Sequence, residues 1–333
     1  MTKVGLLVNP VSGTDIRRIY STAEFMDAVQ KARIIKSILA GIEAMDVDEV
    51  LVMPDFYSIA ARAVNEYLKS NRNINIYFLE MKPKGEPNDT IEAVNLMVKE
   101  RVGAIVLLGG DGTVRLASKV SGVTPLMPIS TGTNNVVPYR VDGTIAGLAA
   151  GAVASGYSNR TFKMKKINVY VNGSYVDQAL VDVASTQYPF IASKAINDIY
   201  MVKEILVAYA PPGAIGLASI AAMIHPIGLK DDTGIYITLE SNHNSNKKTK
   251  MVKAILFPGV IENVKVKEYE FLKPGRRIQF TNPLTIALDG EREIMIDKGD
   301  VAEAEISFDG PVIIDLEKVL ENLASTFNIN SEK

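Results

Sequence analysis

Residues 104–113 read Ala-Ile-Val-Leu-Leu-Gly-Gly-Asp-Gly-Thr, an apolar run that passes into Gly109, Gly110, Asp111, Gly112 and Thr113. An uninterrupted β-branched and leucine run of this length, stopped by glycines, reads as a strand buried on both faces of a parallel sheet. Ligands of open α/β sheets bind beyond the carboxyl ends of such strands. Glycines there let backbone N–H groups approach phosphate oxygens with no Cβ in the way, and the helix that follows aims its positive end at the same spot. Asp111 is the residue that needs a reason. A carboxylate repels phosphate unless it holds Mg2+ or accepts a proton from an attacking hydroxyl. The plainer alternative is a tight turn in which Asp111 caps the next helix.

Outward from this segment, short apolar runs alternate with helical spacing. Strands are predicted over 4–8, 49–53, 74–79, 104–108 and 126–129, with helices over 21–45, 57–68 and 90–99 between them. This is a doubly wound parallel pattern. A small-residue helix is predicted over 143–155. After Gly156 the texture changes to strands and turns, over 165–171, 175–183, 234–239, 249–256, 264–270, 277–280, 284–288 and 302–308, and a helix over 315–327 closes the chain with Asp315 as its N-cap. The fold class is therefore α/β: an N-terminal doubly wound parallel domain plus a C-terminal β-rich, sandwich-like domain. Its 333 residues suit two domains.

Composition narrows the chemistry. With 47% hydrophobic and 22% charged residues the chain is an ordinary globular one, and a net charge of -2 argues against nucleic acid as a partner. The absence of cysteine excludes disulfides, thiol catalysis and zinc-thiolate sites, and two histidines, His225 and His243, leave little for a histidine metal centre or a Ser-His-Asp triad. His225 reads as an interior histidine, and His243 sits in a polar loop. The N-terminal apolar run is too short for a signal peptide, so a cytoplasmic location is expected. Residues 205–229 carry no Asp, Glu, Lys or Arg, yet Pro211-Pro212-Gly213 interrupts them; a strand, a turn and a buried helix are expected rather than membrane insertion. No Gly-x-Gly-x-x-Gly follows the first strand, which argues against a dinucleotide-binding dehydrogenase.

The motif at 109–113 resembles the signature shared by NAD kinases and the diacylglycerol and sphingosine lipid kinases. Asn9-Pro10-Val11-Ser12-Gly13 looks like the Asn-Pro-x-Ser-Gly phosphate loop of the lipid-kinase branch, and Pro128-Ile129-Ser130-Thr131-Gly132-Thr133-Asn134-Asn135 looks like the second glycine-rich motif. Ala195-Ile196-Asn197-Asp198 resembles the Asn-Glu/Asp pair of NAD kinases. The stretch from Pro212-Gly213 through Ser219 to His225-Pro226 is similar to their substrate segment. Leu288-Asp289-Gly290-Glu291 resembles their Asp-Gly-Gln and, more closely, the lipid kinases' Asp-Gly-Glu. In order and spacing the set is most similar to the ATP-NAD kinase-like proteins named after acetoin catabolism protein X.

The resemblance implies an α/β phosphate-binding domain over 1–142 with 312–333 returning to it, a β-rich acceptor domain over 143–311, and an active site in the cleft between them. It implies an ATP- and Mg2+-dependent kinase acting on a hydroxyl of a small molecule such as NAD, another nucleotide or a polyol, first of all the 2'-hydroxyl of NAD. Asp111 would be the proton acceptor and a Mg2+ contact. Asn9, Ser12, Gly13, Gly109, Gly110, Gly112, Thr113, Thr131, Gly132, Thr133 and Asn134 would form the nucleotide pocket. Arg115 would offset charge on the phosphoryl group, the alternative being an exposed helix arginine. Asn197, Asp198, Gly213 and Ser219 would hold the acceptor, although Asn197 and Asp198 also suit an ordinary turn or N-cap. Glu291 would be a second catalytic carboxylate, or one member of the charged turn with Arg292 and Glu293. A homodimer or homotetramer is expected. The apolar 212–219 stretch lacks the hydroxyls of the NAD kinase segment, which keeps a lipid kinase and a non-catalytic nucleotide sensor as alternatives.

Overall fold

The computed structural model describes residues 1–13, 26–70, 72–132, 135–188, 196, 198–240 and 250–330. The first sheet is built from β1 (Lys3–Val8), β2 (Glu49–Val52), β3 (Asn75–Phe78), β4 (Ala104–Gly109) and β5 (Leu126–Ser130), all parallel, in the order β3-β2-β1-β4-β5. Every residue of β4 is buried, as its unbroken apolar run demands. Helices α1 (Ala28–Glu43), α2 (Ile59–Leu68), α3 (Pro87–Lys99) and α4 (Asp111–Ser118) connect the strands. The strand order reverses between β1 and β4. That switch point opens a crevice, and the loops leaving β1 and β4 both end in it.

Two further strands extend this sheet past β5, and both come from beyond residue 142. Helix α5 (Gly143–Ala154) lies against α1, and β6 (Thr161–Lys163) pairs antiparallel with a late strand over Val312–Ile314 that itself runs parallel beside β5. Strand β6 is thus part of the first sheet, and α5 packs on that sheet. The reason is the small-residue composition of α5: a Cβ on Gly147 would lie 2.2 Å from the Ile38 carbonyl oxygen, so only glycine lets the two helices approach this closely.

The second unit is a pair of antiparallel sheets. One holds β7 (Lys166–Val171) and β8 (Ser174–Ala179); the other holds β9 (Asp182–Thr186), β10 (Val202–Val207), β11 (Gly234–Leu239), β12 (Lys250–Phe257) and β13 (Val260–Leu272). Strands β14 (Arg277–Gln279) and β17 (Ala302–Ser307) join the first of these, and β15 (Thr285–Leu288) and β16 (Glu291–Met295) the second. Ile167, Val169, Leu206, Ile286, Leu288 and Ile306 fill the space between the sheets. The late strand is β18, and α7 (Leu316–Asn330) ends the chain.

Residues 175–183 are not one strand. The chain crosses from one sheet to the other at Leu180 and Val181, whose N–H groups donate to Asp289. The apolar stretch 205–229 is the end of β10, a turn and α6 (Ala218–Ile224), and no helix among the described residues is long and apolar enough to cross a membrane. His225 is exposed at the end of α6 with its ring edge-on to Phe271, 5.5 Å between centroids, rather than in the interior. Asp315 pairs with Lys230 at 2.6 Å. His243 and the first part of the predicted 21–45 helix lie outside the described residues.

Candidate active site

Three loops meet at the switch point. The Asn9 N–H continues the β1 ladder to the Leu108 carbonyl (2.9 Å), its Oδ1 accepts from Val11 N–H (3.1 Å), and its Nδ2 donates to Thr113 Oγ1 (2.8 Å), tying the first loop to α4. Ser12 Oγ donates back to the Asn9 carbonyl at 2.7 Å. Gly13 is left-handed, φ 71°, and a Cβ there would sit 2.4 Å from the Thr131 carbonyl oxygen, so the first and third loops touch only because this residue is glycine. Gly109 packs on Thr113 and Gly110 on Asn135. Around Gly112 a Cβ would meet nothing within 4 Å: this glycine borders open space. Thr131 Oγ1 is buried without a hydrogen-bond partner among the described residues.

Lys31, which the sequence reading passed over, holds this arrangement from beneath. Only 1% exposed, its Nζ donates to the carbonyl oxygens of Asn9, Pro10 and Ser12. The available signal was a cation four residues before Ile35 on the apolar face of α1.

Asp111 opens α4 but does not cap it. Its carboxylate accepts from Val136 N–H (2.9 Å) and Val137 N–H (2.8 Å), beyond β5. From the second unit comes Asp289, at the tip of the β15–β16 hairpin. Asp289 and Gly290 both have positive φ, 51° and 78°, as a two-residue type I′ turn requires. Burial pushes the Asp289 carboxyl up to about 6, opposed by Arg115 and by the backbone N–H groups of residues 180–182. Asp182, 3% exposed, is held well above the ordinary carboxylate range by burial and by the charges of Asp289 and Asp111, and its Oδ1 has no hydrogen-bond partner among the described residues. An acid inside the apolar run 179–183 was the signal for it.

Arg115 is not solvent-exposed. It is 5% exposed and held by Glu293 at 3.1 Å, Asp177 at 3.4 Å and Asp289 at 3.6 Å, joining α4 to the second unit. Lys119 adds a 2.6 Å pair to Asp177.

Two cavities share Asp111 and Asp289 as walls. The larger, about 710 Å³, is lined by the loops at 9–13 and 110–113, by Thr131, Gly132 and Asn135, by Arg115 and Glu291, and by Phe56 and Gly85 at its outer end. The smaller, about 50 Å³, is walled by Val136, Val181, Ile196, Ile199, Ile215, Leu217, Leu256 and Phe257, with Asp182 also in its lining. The structure thus places Asn9, Ser12, Gly13, Gly110, Asp111, Gly112, Thr113, Arg115, Thr131, Gly132 and Glu291 around one space, with Gly109 packed behind it.

The acceptor residues are not gathered in the same way. Asp198 is exposed, caps the 3-10 turn Ile199–Met201 through Tyr200 N–H (2.8 Å), and lines neither cavity. Gly213 is exposed and also lines neither. Ser219 is buried, its hydroxyl donating to the Gly216 carbonyl (2.7 Å) and accepting from Ile255 N–H (3.0 Å). Thr133, Asn134 and Asn197 lie outside the described residues.

A doubly wound sheet with glycine loops at its switch point, closed by a β-rich unit that contributes a hairpin tip, defines the class: an NAD kinase-type α/β domain with a β-rich partner. Residues 4–145 match the ATP-NAD kinase N-terminal domain, and residues 165–309 the acetoin catabolism protein X C-terminal domain. The acetoin catabolism protein X of Cupriavidus necator is 31% identical over 310 residues, covering 89% of this chain and 85% of its own length. The chain belongs to the acetoin catabolism protein X family.

Proposed function

We propose that this protein is a phosphotransferase that moves the γ-phosphoryl group of ATP, bound in the larger cavity, to a hydroxyl of a small molecule presented from the smaller one. The observation that carries this reading is the placement of Asp111 in the wall between the two cavities. A hydroxyl entering from the apolar side would donate its proton to Asp111 as its oxygen bonds to the γ-phosphorus. The bond to the bridging oxygen breaks, and ADP leaves with the electron pair. The phosphate tail fits against Gly112, where no described side chain intrudes, beside the start of α4 and the Thr131 hydroxyl, which has no partner among the described residues.

The larger cavity is acid-rich: Asp55, Glu86, Asp89, Asp111, Asp177, Asp289, Glu291 and Glu293 line it against Arg115 and Lys119. Asp177, Asp289 and Glu293 are engaged by Arg115, while Asp55 and Asp89 accept from backbone N–H groups. A polyphosphate entering such surroundings calls for a divalent cation. Among the described residues no three Asp, Glu or His side chains converge to hold one by themselves, so Mg2+ would take most ligands from phosphate and water, with Asp111 and Glu291 the nearest protein candidates. Bound there, it would neutralise charge on the transferring group. ATP supply makes the cytoplasm the setting for this reaction.

NAD enters as an acceptor through the likeness to NAD kinases, in which Asn197 and Asp198 would read the diol, but the Asp198 carboxylate is committed to its own turn. The test is transfer of label from γ-labelled ATP, with Mg2+, to a panel of NAD, nucleosides, polyols, short alcohols and diacylglycerol. Labelling of one acceptor that disappears in Asp111→Asn is the expected result. ATP binding with no labelled acceptor, and identical behaviour of the variant, would leave a nucleotide sensor instead.

A further inference from the structure

We propose that the smaller cavity receives the hydroxyl end and first carbons of a slender, largely apolar alcohol, oriented by a hydrogen bond to Asp182, and that it does not accept the ribose of a dinucleotide. This rests on the phosphotransferase reading for its consequence, since it names that reaction's acceptor class, but the binding it asserts stands independently.

The walls set the class. Val136, Val181, Ile199, Leu217, Leu256 and Phe257 offer no hydrogen-bonding side chain, and among the described lining residues the polar side chains are those of Asp111, Asp182 and Asp289. A ribose carries hydroxyls around its ring. Hydroxyls turned toward apolar walls would lose water and gain no partner, a cost that rejects polar ligands strongly. A molecule with its hydroxyl at one end and hydrocarbon at the other loses nothing there. Size argues the same way: about 50 Å³ admits the hydroxyl end of a short chain and not a ribose bearing a base.

Asp182 marks a place for a ligand. Its Oδ1 is buried and unpartnered among the described residues, while backbone N–H of Gly290 satisfies the group elsewhere. Buried polar atoms are almost always hydrogen-bonded, so an orphan facing a cavity asks for an outside partner. An alcohol hydroxyl can both donate and accept, so it can bond Asp182 while turning toward Asp111.

The experiment is saturation-transfer NMR on the full chain without ATP, using 1-butanol, 2-butanol and 1-hexanol, with NAD and diacylglycerol-containing vesicles as separate arms. Expected are alcohol signals in the wild type that vanish in Ile215→Trp, which fills the cavity from a half-buried wall position. Affinity should fall about tenfold in Asp182→Ala and be restored in Asp182→Asn, which keeps a donor and an acceptor. Should Ile215→Trp fail to unfold cooperatively, the Asp182 pair carries the test alone. The proposal is overturned by absent alcohol signals, by signals that ignore both positions, or by NAD or diacylglycerol binding that Ile215→Trp abolishes. With ATP left out, failure to bind ATP strikes the phosphotransferase reading and leaves this result untouched.

Discussion

The guanidinium of Arg115, in the first α/β unit, lies 3.6 Å from the carboxylate of Asp289, at a hairpin tip of the second, with both side chains almost wholly buried. Asp177 and Glu293 complete the cluster, so one cation on the helix after the glycine motif fastens the β-rich unit across the cleft. Removing one partner from a buried ion cluster leaves uncompensated charge. Arg115→Ala is therefore expected to lower stability by about 3–5 kcal/mol, read as a urea midpoint, and Arg115→Lys to recover only part, because lysine lacks the fork that reaches three carboxylates. A neutral Arg115→Ala would contradict the cluster.

Asp111→Asn keeps the size of the side chain and one oxygen for the Val136 and Val137 N–H groups while removing proton acceptance. Turnover on the best acceptor should fall about 10²–10⁴-fold with nucleotide affinity retained. Single-turnover transfer of label beside calorimetry of nucleotide separates the two quantities.

Gly112 lies within α4 yet borders empty cavity, so stability and binding should move in opposite directions in Gly112→Ala. The helix should gain about 0.5–1 kcal/mol, while the new methyl occupies phosphate space and weakens nucleotide binding at least about tenfold. Thermal unfolding with and without nucleotide reads both.

Lys31→Met would leave the carbonyl oxygens of Asn9, Pro10 and Ser12 without their shared donor. Stability should drop by about 1–3 kcal/mol, and hydrogen exchange at residues 9–13 should accelerate ahead of the rest of β1. Uniform exchange across β1 would show that the lysine does not brace this loop.

For Asp289, raised to about 6 in the fold, the neutral form is favoured by folding. Its contribution is complete below about pH 4, where the unfolded carboxyl is also protonated, and is lost as pH rises through 6, by about 3 kcal/mol in all. Asp289→Asn removes that dependence. Relative to wild type, the variant should gain about this amount between pH 4 and pH 7.5 in urea titrations, and parallel curves at the two pH values would refute the assignment.

What the sequence by itself determined is what local chemistry determines. Unbroken apolar runs such as 104–108 gave buried parallel strands, helical spacing gave α2 and α3, and glycines at 13, 109, 110 and 112 marked the loops that converge. The Asp-Gly pair at 289–290 reads in the sequence only as a motif, with the turn expected at 291–293, which is strand β16; yet the turn at 289–290 is equally local, because backbone conformation there depends on two adjacent residues. Tertiary structure alone decided everything that depends on which distant atoms meet. It drew α5 and β6 into the first sheet through close glycine contacts, split 175–183 where Asp289 takes three N–H groups, and surrounded Arg115 with carboxylates from the other unit. It turned the Asp198 and Ser219 side chains to local hydrogen bonds and left Asp182 facing the smaller cavity. A side chain's residue type states what it can donate or accept; only the fold states which partner stands within 3 Å of it and whether water can reach the pair.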